Sequence, residues 1–395
     1  MIKDLLRTNK VVLTIFVLIF LIGDNVLATG GIKLPPHKFV ILLLGFLFVR
    51  KIKFAYKQMP HAIYLLCFLL IYTIFKILTG GQAGNTMMGV TVILPVLVYI
   101  AFRTLEKSGN VRAYKSLLYF SYVIECSIAI LERLLHIHIF KWHEDSDTAV
   151  FDFDVTEFRS FGLFGHPLQN AVIIEVFILF ILIYERNVRK KYILAILGVS
   201  AIFCFNGRAA MVMSVCSVIL YTLYWCKTAK VSLNVKLSLT FFFILISGIM
   251  IYLYNKGLIG GRLSSMGLYD ENSAGVRVDA LNIFKYYNLS DFIFGISEKE
   301  VLLLKYRLGL IAVENFWLNW MLTYGVVFVI GVILFYIPVL KHIYKEKSLF
   351  VRFFTFVPFI TLASTNPSLA VSIVPVTSFL LLSYIMPLVN ERKKS

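Results

Sequence analysis

Residues 255–325 read NKGLIGGRLSSMGLYDENSAGVRVDALNIFKYYNLSDFIFGISEKEVLLLKYRLGLIAVENFWLNWMLTYG, and they interrupt a sequence that is otherwise strongly apolar. The stretch follows one apolar run, and its last residues lead directly into another. A helix needs about 20 apolar residues to cross a hydrocarbon core about 30 Å thick, and such runs recur along the whole chain. The pattern predicts a membrane bundle in which residues 255–314 form a long loop outside the bilayer.

Composition supports the same interpretation. Of the 395 residues, 59% are hydrophobic and only 15% are charged, which excludes a soluble globular protein. We expect an all-α polytopic membrane protein whose residues 1–395 form a single transmembrane bundle. Apolar windows predict twelve spans, near residues 11–28, 34–49, 60–78, 87–103, 114–132, 167–184, 192–206, 209–226, 237–254, 315–340, 350–366 and 369–388.

The basic residues sort to one side of the predicted bundle. Every second loop is short and rich in lysine and arginine, beginning with Lys3, Arg7 and Lys10 before the first span. The positive-inside rule then places these loops and both termini in the cytoplasm. The net charge of +17 is explained without any nucleic-acid partner. The five cysteines lie in or at the ends of apolar runs and predict neither disulfides nor metal ligands.

The opposite side carries two loops that are too long to be simple connectors, residues 133–165 and 255–314. The first ends with Arg159 and then His166-Pro167, and the following span contains Asn170. Proline suits the first turn of a helix, so His166 is expected near a helix N-terminus, where anions are favoured.

A tight turn at residues 206–208 places Arg208 at the rim of the bilayer. A charge there is costly if it enters hydrocarbon, so we expect Arg208 to face the bundle interior and to have a partner. The alternative is that its side chain extends to lipid phosphate.

In the second long loop, Arg277 opens a segment near residues 275–287 whose apolar spacing predicts an amphipathic helix on the membrane surface. Arg262 precedes it, and Glu314 with Asn315 opens the next span. Glu314 is either a helix cap or a base at the mouth of a cavity.

Ionisable residues also fall inside apolar runs, where they usually face a cavity or pair with each other. They are Asp24, Lys76, Glu125 and Glu175. Whether Glu175 serves chemistry or pairs with an arginine stays open. A metal site is not expected, because His136, His138 and His143 lack a set of spaced ligands.

Five short motifs appear in order between the spans: FRSFGLFGHPLQNA (158–171), NGRAAM (206–211), AGVRVDALNIF (274–284), DFIFGIS (291–297) and VENFWLNWMLTYG (313–325). Together they resemble the O-antigen polymerase and O-antigen ligase superfamily (Wzy/WaaL). Ligases of this superfamily have a His-Asn pair where this chain has Glu314-Asn315. The difference favours a polymerase.

The resemblance implies a GT-C-like bundle in the bacterial inner membrane that joins lipid-linked repeat units on its periplasmic face. The donor would be an oligosaccharide on undecaprenyl diphosphate, and the transfer would be metal-independent, inverting and without a cofactor. Expected partners are the membrane lipid, a flippase and a chain-length regulator. A ligase and a lipid-linked oligosaccharide flippase or transporter remain the alternatives.

The resemblance also assigns roles to individual residues. Permanently charged arginine suits a diphosphate leaving group, and the acceptor hydroxyl needs a base, for which Glu314 is the first choice and His166 the second. The expected catalytic residues are Glu314, Arg277, Arg208 and Arg159, and the expected substrate-binding residues are His166, Arg262, Asn315 and Asn170.

Overall fold

The computed structural model describes residues 14–23, 56–57, 59–78, 92–103, 111–140, 158–229, 280–286, 288–308, 315–366 and 372–391, together with a few isolated positions. Every regular element in these ranges is a helix, and none of the described residues forms a strand. The helices are α1 (Pro60–Leu78), α2 (Leu94–Arg103), α3 (Val111–Leu135), α4 (Pro167–Tyr184), α5 (Val188–Cys204), α6 (Arg208–Thr228), α7 (Leu289–Phe294), α8 (Glu298–Arg307), α9 (Phe316–Tyr324), α10 (Val326–Ile343), α11 (Leu349–Ser364) and α12 (Val374–Glu391). The all-helical architecture is therefore confirmed for this part of the chain.

Four of these helices are long and apolar enough to cross a membrane: α1, α4, α6 and α10. The helices α2 and α11 and the stretch Val374–Leu388 of α12 are apolar but shorter. These lengths support a membrane-embedded helical protein. The predicted span near 34–49 and most of the span near 237–254 lie outside the described residues. Of the span near 11–28, residues 14–23 and 26 are described, and residues 14–20 are helical.

Helix α4 is the centre of the bundle. All of residues 171–182 are buried, and α4 packs against α5, α6, α11 and α12. A helix that is apolar on every side must be covered on every side, which explains this position. It begins at Pro167, the first-turn proline, and ends at Tyr184, as the sequence predicted.

One end of the bundle collects basic side chains. Lys115 on α3 lies 3.6 Å from the carboxylate of Glu185, which follows α4. The hydroxyl of Tyr119 donates to the same carboxylate at 2.8 Å. Lys347, between α10 and α11, stands 6.0 Å over the ring of Tyr184. The helix connections on this side are thus the basic ones, and the positive-inside rule predicts that this end faces the cytoplasm.

The opposite end, called the outer end below, holds the C-terminus of α3, the start of α4, the α5–α6 turn, the end of α11 and the start of α12. Two hydrogen bonds join these pieces. Ser160 N donates to the carbonyl of Cys204 at 3.1 Å, and the Gln169 amide donates to Ser372 Oγ at 2.6 Å. The motifs at residues 158–171 and 206–211 therefore meet at one end of the bundle.

The predicted span near 315–340 is wrong in one respect, because α9 and α10 are separate helices that meet at Gly325. Gly325 has a φ of 85°, and a Cβ there would lie 2.1 Å from the carbonyl oxygen of Ile293. Lys76 on α1 donates to the carbonyl of Phe294 at 2.9 Å. A segment of the second long loop thus packs at the break between α9 and α10. A hydropathy pattern does not reveal this break, because the residues on both sides of Gly325 are apolar.

The second long loop has structure of its own. Residues Ala280–Tyr286 form a 3₁₀ helix, and α7 and α8 follow. The other residues of the amphipathic helix predicted near 275–287 lie outside the described part. A small separate core joins these pieces to α9, and its buried members are Ile283, Ile296, Val301, Val313, Leu318 and Leu322.

Candidate functional site

The outer end is built around residues 158–165, called the pinned loop here, which run from the first long outer loop into α4. Two carboxylates on α3 accept hydrogen bonds from its main chain. Glu132 Oε2 accepts from Phe161 N at 2.7 Å and from Gly162 N at 3.1 Å. Glu125 Oε2 accepts from Leu163 N at 2.8 Å. The two acids are seven residues apart, which places them two turns apart on one face of α3.

Further hydrogen bonds hold the start of the pinned loop against α3 and α5. Arg133 Nη1 donates to the carbonyl of Phe158 at 2.8 Å. Ser160 Oγ donates to the carbonyl of Ala129 at 2.6 Å, and Ser160 N donates to Cys204. Because both the side chain and the main chain of Ser160 are bonded, this residue is fixed between two helices.

Helix α4 holds the rest of the pinned loop. The amide nitrogen of Asn170 donates to the carbonyl of Phe161, and Asn170 is fully buried. The amide nitrogen of Gln169 donates to the carbonyl of Phe164 at 2.6 Å as well as to Ser372. Asn170 was expected to bind substrate. Its burial and its bond to the loop fit a positioning role instead.

Only two side chains of residues 158–166 keep partial exposure, and they are Arg159 and His166. The others are buried. The Nε atom of Arg159 is buried and donates to no acceptor within the described residues. A buried guanidinium N–H without an acceptor is costly. An anion bound at Arg159 would supply such an acceptor.

Arg208, the first residue of α6, belongs to the same end. The preceding turn uses Asn206 in a left-handed conformation with a φ of 57°, and the amide of Asn206 reaches the carbonyl of Phe158 at 3.5 Å. A Cβ on Gly207 would lie 3.2 Å from the side chain of Leu168, so the turn packs closely on the first turn of α4. The contacts of this turn with Phe158 and Ser160 hold Arg208 beside the loop that carries Arg159.

His166 caps the N-terminus of α4. Its Nδ1 accepts from Leu168 N at 3.2 Å. Burial lowers the pKa of the imidazole to about 4, so the ring is neutral near pH 7. In a neutral ring whose Nδ1 accepts, the hydrogen is assigned to Nε2. His166 is thus arranged as a donor, because its lone pair is already used in the cap.

Asn315 caps α9. Its side-chain oxygen accepts from Trp317 N at 2.9 Å and from Leu318 N at 3.2 Å. The indole of Trp317 donates to Ser364 Oγ at 2.8 Å, at the end of α11. Asn315 therefore lies at the outer end. Three further predicted site residues, Arg262, Arg277 and Glu314, lie outside the described residues.

The described charged residues inside apolar runs form hydrogen bonds with uncharged groups, and Lys76 also interacts electrostatically with Glu300. Glu175 on α4 accepts from Ser217 Oγ on α6 at 2.7 Å, a hydroxyl where an arginine was one alternative. Lys76 donates to a main-chain carbonyl, and Glu125 accepts from the pinned loop. Asp24 lies outside the described residues. Among the residues described, no group of three or more His, Cys, Asp or Glu side chains could hold a metal ion.

Sequence reasoning missed Glu132 and Arg133 as parts of this site. Both are buried in the last turn of α3, and together with Glu125 they hold the pinned loop. A signal was available, since Glu125 and Glu132 are spaced by seven residues at the end of a predicted span. That spacing puts both acids on one helix face, directed toward a common partner.

Comparisons of the chain with family models, with curated proteins and with solved structures give no match. The resemblance of the motifs to O-antigen polymerases therefore stays a prediction. The geometry of the outer end is the structural observation that bears on it.

Proposed function

We propose that this chain is a polysaccharide polymerase that joins repeat units carried on undecaprenyl diphosphate, at the outer end of the bundle. The observation that carries the proposal is the pair Arg159 and Arg208. Two arginines from separate segments stand on one end of a membrane bundle, and one of them has a buried Nε without an acceptor in the described part of the chain. Arginine binds diphosphate oxygens through a planar, permanently charged group.

The reaction follows from the chemistry of this donor. The oxygen of an acceptor hydroxyl forms a bond to the anomeric carbon while the bond from that carbon to the diphosphate oxygen breaks. The diphosphate leaves with the electron pair, and its growing negative charge is what Arg159 and Arg208 stabilise. A single displacement inverts the anomeric centre.

The acceptor proton passes to a general base. The base proposed is Glu314, with Arg277 completing the cationic group and Arg262 and Asn315 contacting the substrate. The alternative base, His166, is less suited because its Nδ1 already accepts from Leu168. It suits a hydrogen-bond donor to the glycan or the diphosphate.

Deletion of the gene, followed by electrophoresis of the lipid-linked and surface glycans, tests the proposal. A polymerase predicts single repeat units on the surface lipid, with the long ladder lost and restored by the intact chain. Polymer that is made but never attached to the surface lipid would mean a ligase. An unchanged ladder would overturn the proposal. Loss of both the ladder and the single repeat units from the surface lipid would overturn it in favour of the flippase alternative.

Arginine variants test the site itself. Arg159→Ala and Arg208→Ala should each lower polymer formation by about 10²–10³, the usual cost of removing one donor to a developing negative charge. Arg189→Ala is the matched control, because Arg189 is an exposed arginine on α5 at the opposite end of the bundle. Equal effects of Arg159→Ala and Arg189→Ala would remove Arg159 from the site.

Variants of the second long loop test the remaining roles. Arg277→Ala should abolish polymer while the protein still inserts, and normal polymer lengths would exclude Arg277. Glu314→Gln should be far more damaging than Asp147→Ala in the first long loop. Equal effects of these two changes would mean that Glu314 only caps a helix.

A further inference from the structure

A single carboxylate ties together two separated pieces of chain at the outer end. Glu132 is fully buried. One of its oxygens accepts from Phe161 N and Gly162 N, and the other accepts from Ile139 N at 2.9 Å. Ile139 and Phe161 stand on either side of residues 141–157. Glu132 therefore closes the base of the first long outer loop.

Aromatic contacts join the same two pieces. The ring of His138 stacks on Phe161 with a centroid distance of 4.0 Å and on Phe158 with a centroid distance of 4.7 Å. Stacking of this kind holds the pieces at a fixed separation but allows sliding in the ring plane. The directional bonds to Glu132 are what fix the register.

The position of Arg159 depends on that register. Arg159 lies two residues before Phe161 on a segment with no helical turns. A slip of one residue along an extended segment moves a side chain by about 3.3 Å and turns it to the other face. Such a shift is larger than the tolerance of a hydrogen bond to a leaving group.

The chemical nature of Glu132 suits this task. A buried carboxylate is expensive unless hydrogen bonds satisfy it, and three main-chain N–H groups do so here. Both of its oxygens accept hydrogen bonds from the main chain. A glutamine of the same size would hold the loop less firmly, because only one of its two terminal groups accepts.

We propose that Glu132 is a positioning residue that sets the position of Arg159 at the outer end. This inference rests on the proposed function only for the role of Arg159 in the reaction. Glu132 touches no reacting atom in this account. It acts through the main chain of the pinned loop, and its removal should change the position of the Arg159 side chain.

The first test measures position without measuring activity. Arg159→Cys is labelled from outside with a membrane-impermeant maleimide, alone and combined with Glu132→Ala or Glu132→Gln, and the chain without Arg159→Cys gives the background. Glu132→Ala should change the labelling rate by at least about tenfold, which corresponds to about 1.4 kcal/mol, the loss expected from a single hydrogen bond. Glu132→Gln should give a smaller change, because an amide oxygen accepts while its nitrogen only donates.

Glu175→Gln is the matched control for this labelling. Glu175 is also a fully buried acid in a neighbouring helix, and it bonds to Ser217 outside the pinned loop. It should leave the labelling rate at position 159 unchanged. A rate that is insensitive to both Glu132 variants, or equally sensitive to Glu175→Gln, would overturn the proposal. If Glu132→Ala fails to fold, as judged by size exclusion in detergent, the Gln variant decides.

The second test asks whether Glu132 acts through Arg159. Polymer formation is compared for Glu132→Gln, Arg159→Ala and the double variant, each normalised to folded protein. A positioning residue predicts that the double variant is no slower than Arg159→Ala, because the group being positioned is already absent. Losses that multiply would refute the proposal. If the chain makes no polymer at all, the proposed function fails while the labelling result for Glu132 still stands.

Discussion

Gly162 is a position where the structure predicts a clear loss of stability from one added methyl group. Its φ of 62° is left-handed, and a Cβ there would lie 2.2 Å from Glu125 Oε1 and 2.8 Å from Glu125 Cδ. An L-residue in the left-handed region costs about 1–2 kcal/mol. Moving Glu125 away endangers its bond to Leu163 N, and a typical hydrogen bond contributes about 0.5–1.5 kcal/mol.

These contributions predict that Gly162→Ala is clearly destabilised. Alanine also restricts the unfolded chain, which returns about 0.4–1 kcal/mol. The net loss expected for Gly162→Ala is about 1–3 kcal/mol of unfolding free energy. The measurement is the thermal unfolding midpoint of the purified protein in detergent.

Gly165→Ala provides the matched control. Gly165 has a φ of 107°, so its backbone strain is at least as large, but its Cβ would meet only Gln169 Oε1 at 3.7 Å, an ordinary contact. Gly162→Ala should therefore have the lower midpoint, and most of the difference should vanish when both changes are compared in a Glu125→Ala chain. A Gly162→Ala midpoint equal to or above that of Gly165→Ala would refute the reasoning.

Three further changes probe the contact of α7 with the bundle and the cap of α4. Lys76→Met removes the donor to the carbonyl of Phe294, and it should speed protease cleavage within residues 295–308 severalfold, whereas unchanged cleavage would mean that the bond does not hold α7. Gly325→Ala would place a Cβ 2.1 Å from the carbonyl oxygen of Ile293, so cleavage of the same segment should rise, and a normal rate would contradict the close approach. Burial lowers the pKa of His166 to about 4, below its ordinary value of 6.5, so the folded state favours the neutral imidazole. The resulting contribution to stability is complete above pH 6.5 and is lost as the pH falls toward 4. The unfolding midpoint of the native chain should thus drop more between pH 7 and pH 4 than that of His166→Asn, and parallel drops would exclude the imidazole as the cause.

The parts of the fold that follow from local sequence were predicted well. The bounds of α1 and α4, residues 60–78 and 167–184, coincide with the predicted spans, because each is an apolar run with proline in its first turn. The break at Gly325 was not predicted, since it depends on a close contact with Ile293 far away in sequence. Hydropathy reports how apolar a segment is and carries no information about such a contact.

The candidate site was predicted in the same uneven way. Arg159, His166 and Arg208 were chosen for their charge or their place beside a turn, and the structure brings the segments that carry them to one end. Glu132 and Arg133 were overlooked because their function is to bind main-chain atoms of another segment. Residue type alone does not reveal which backbone groups a buried side chain will satisfy.

The buried acids also bear on the choice between an enzyme and a transporter. A transporter with alternating access moves one part of its bundle against the other, and contacts between the moving parts must open during each cycle. Glu132 accepts three main-chain hydrogen bonds, from Ile139, Phe161 and Gly162. Releasing Glu132 would leave buried N–H groups without acceptors, at a cost of about 1–3 kcal/mol each. Because the hydrogen bonds between Glu132 and the pinned loop are costly to break, they favour a fixed site with a pre-positioned arginine. Stabilisation of a leaving group requires such a pre-positioned charge.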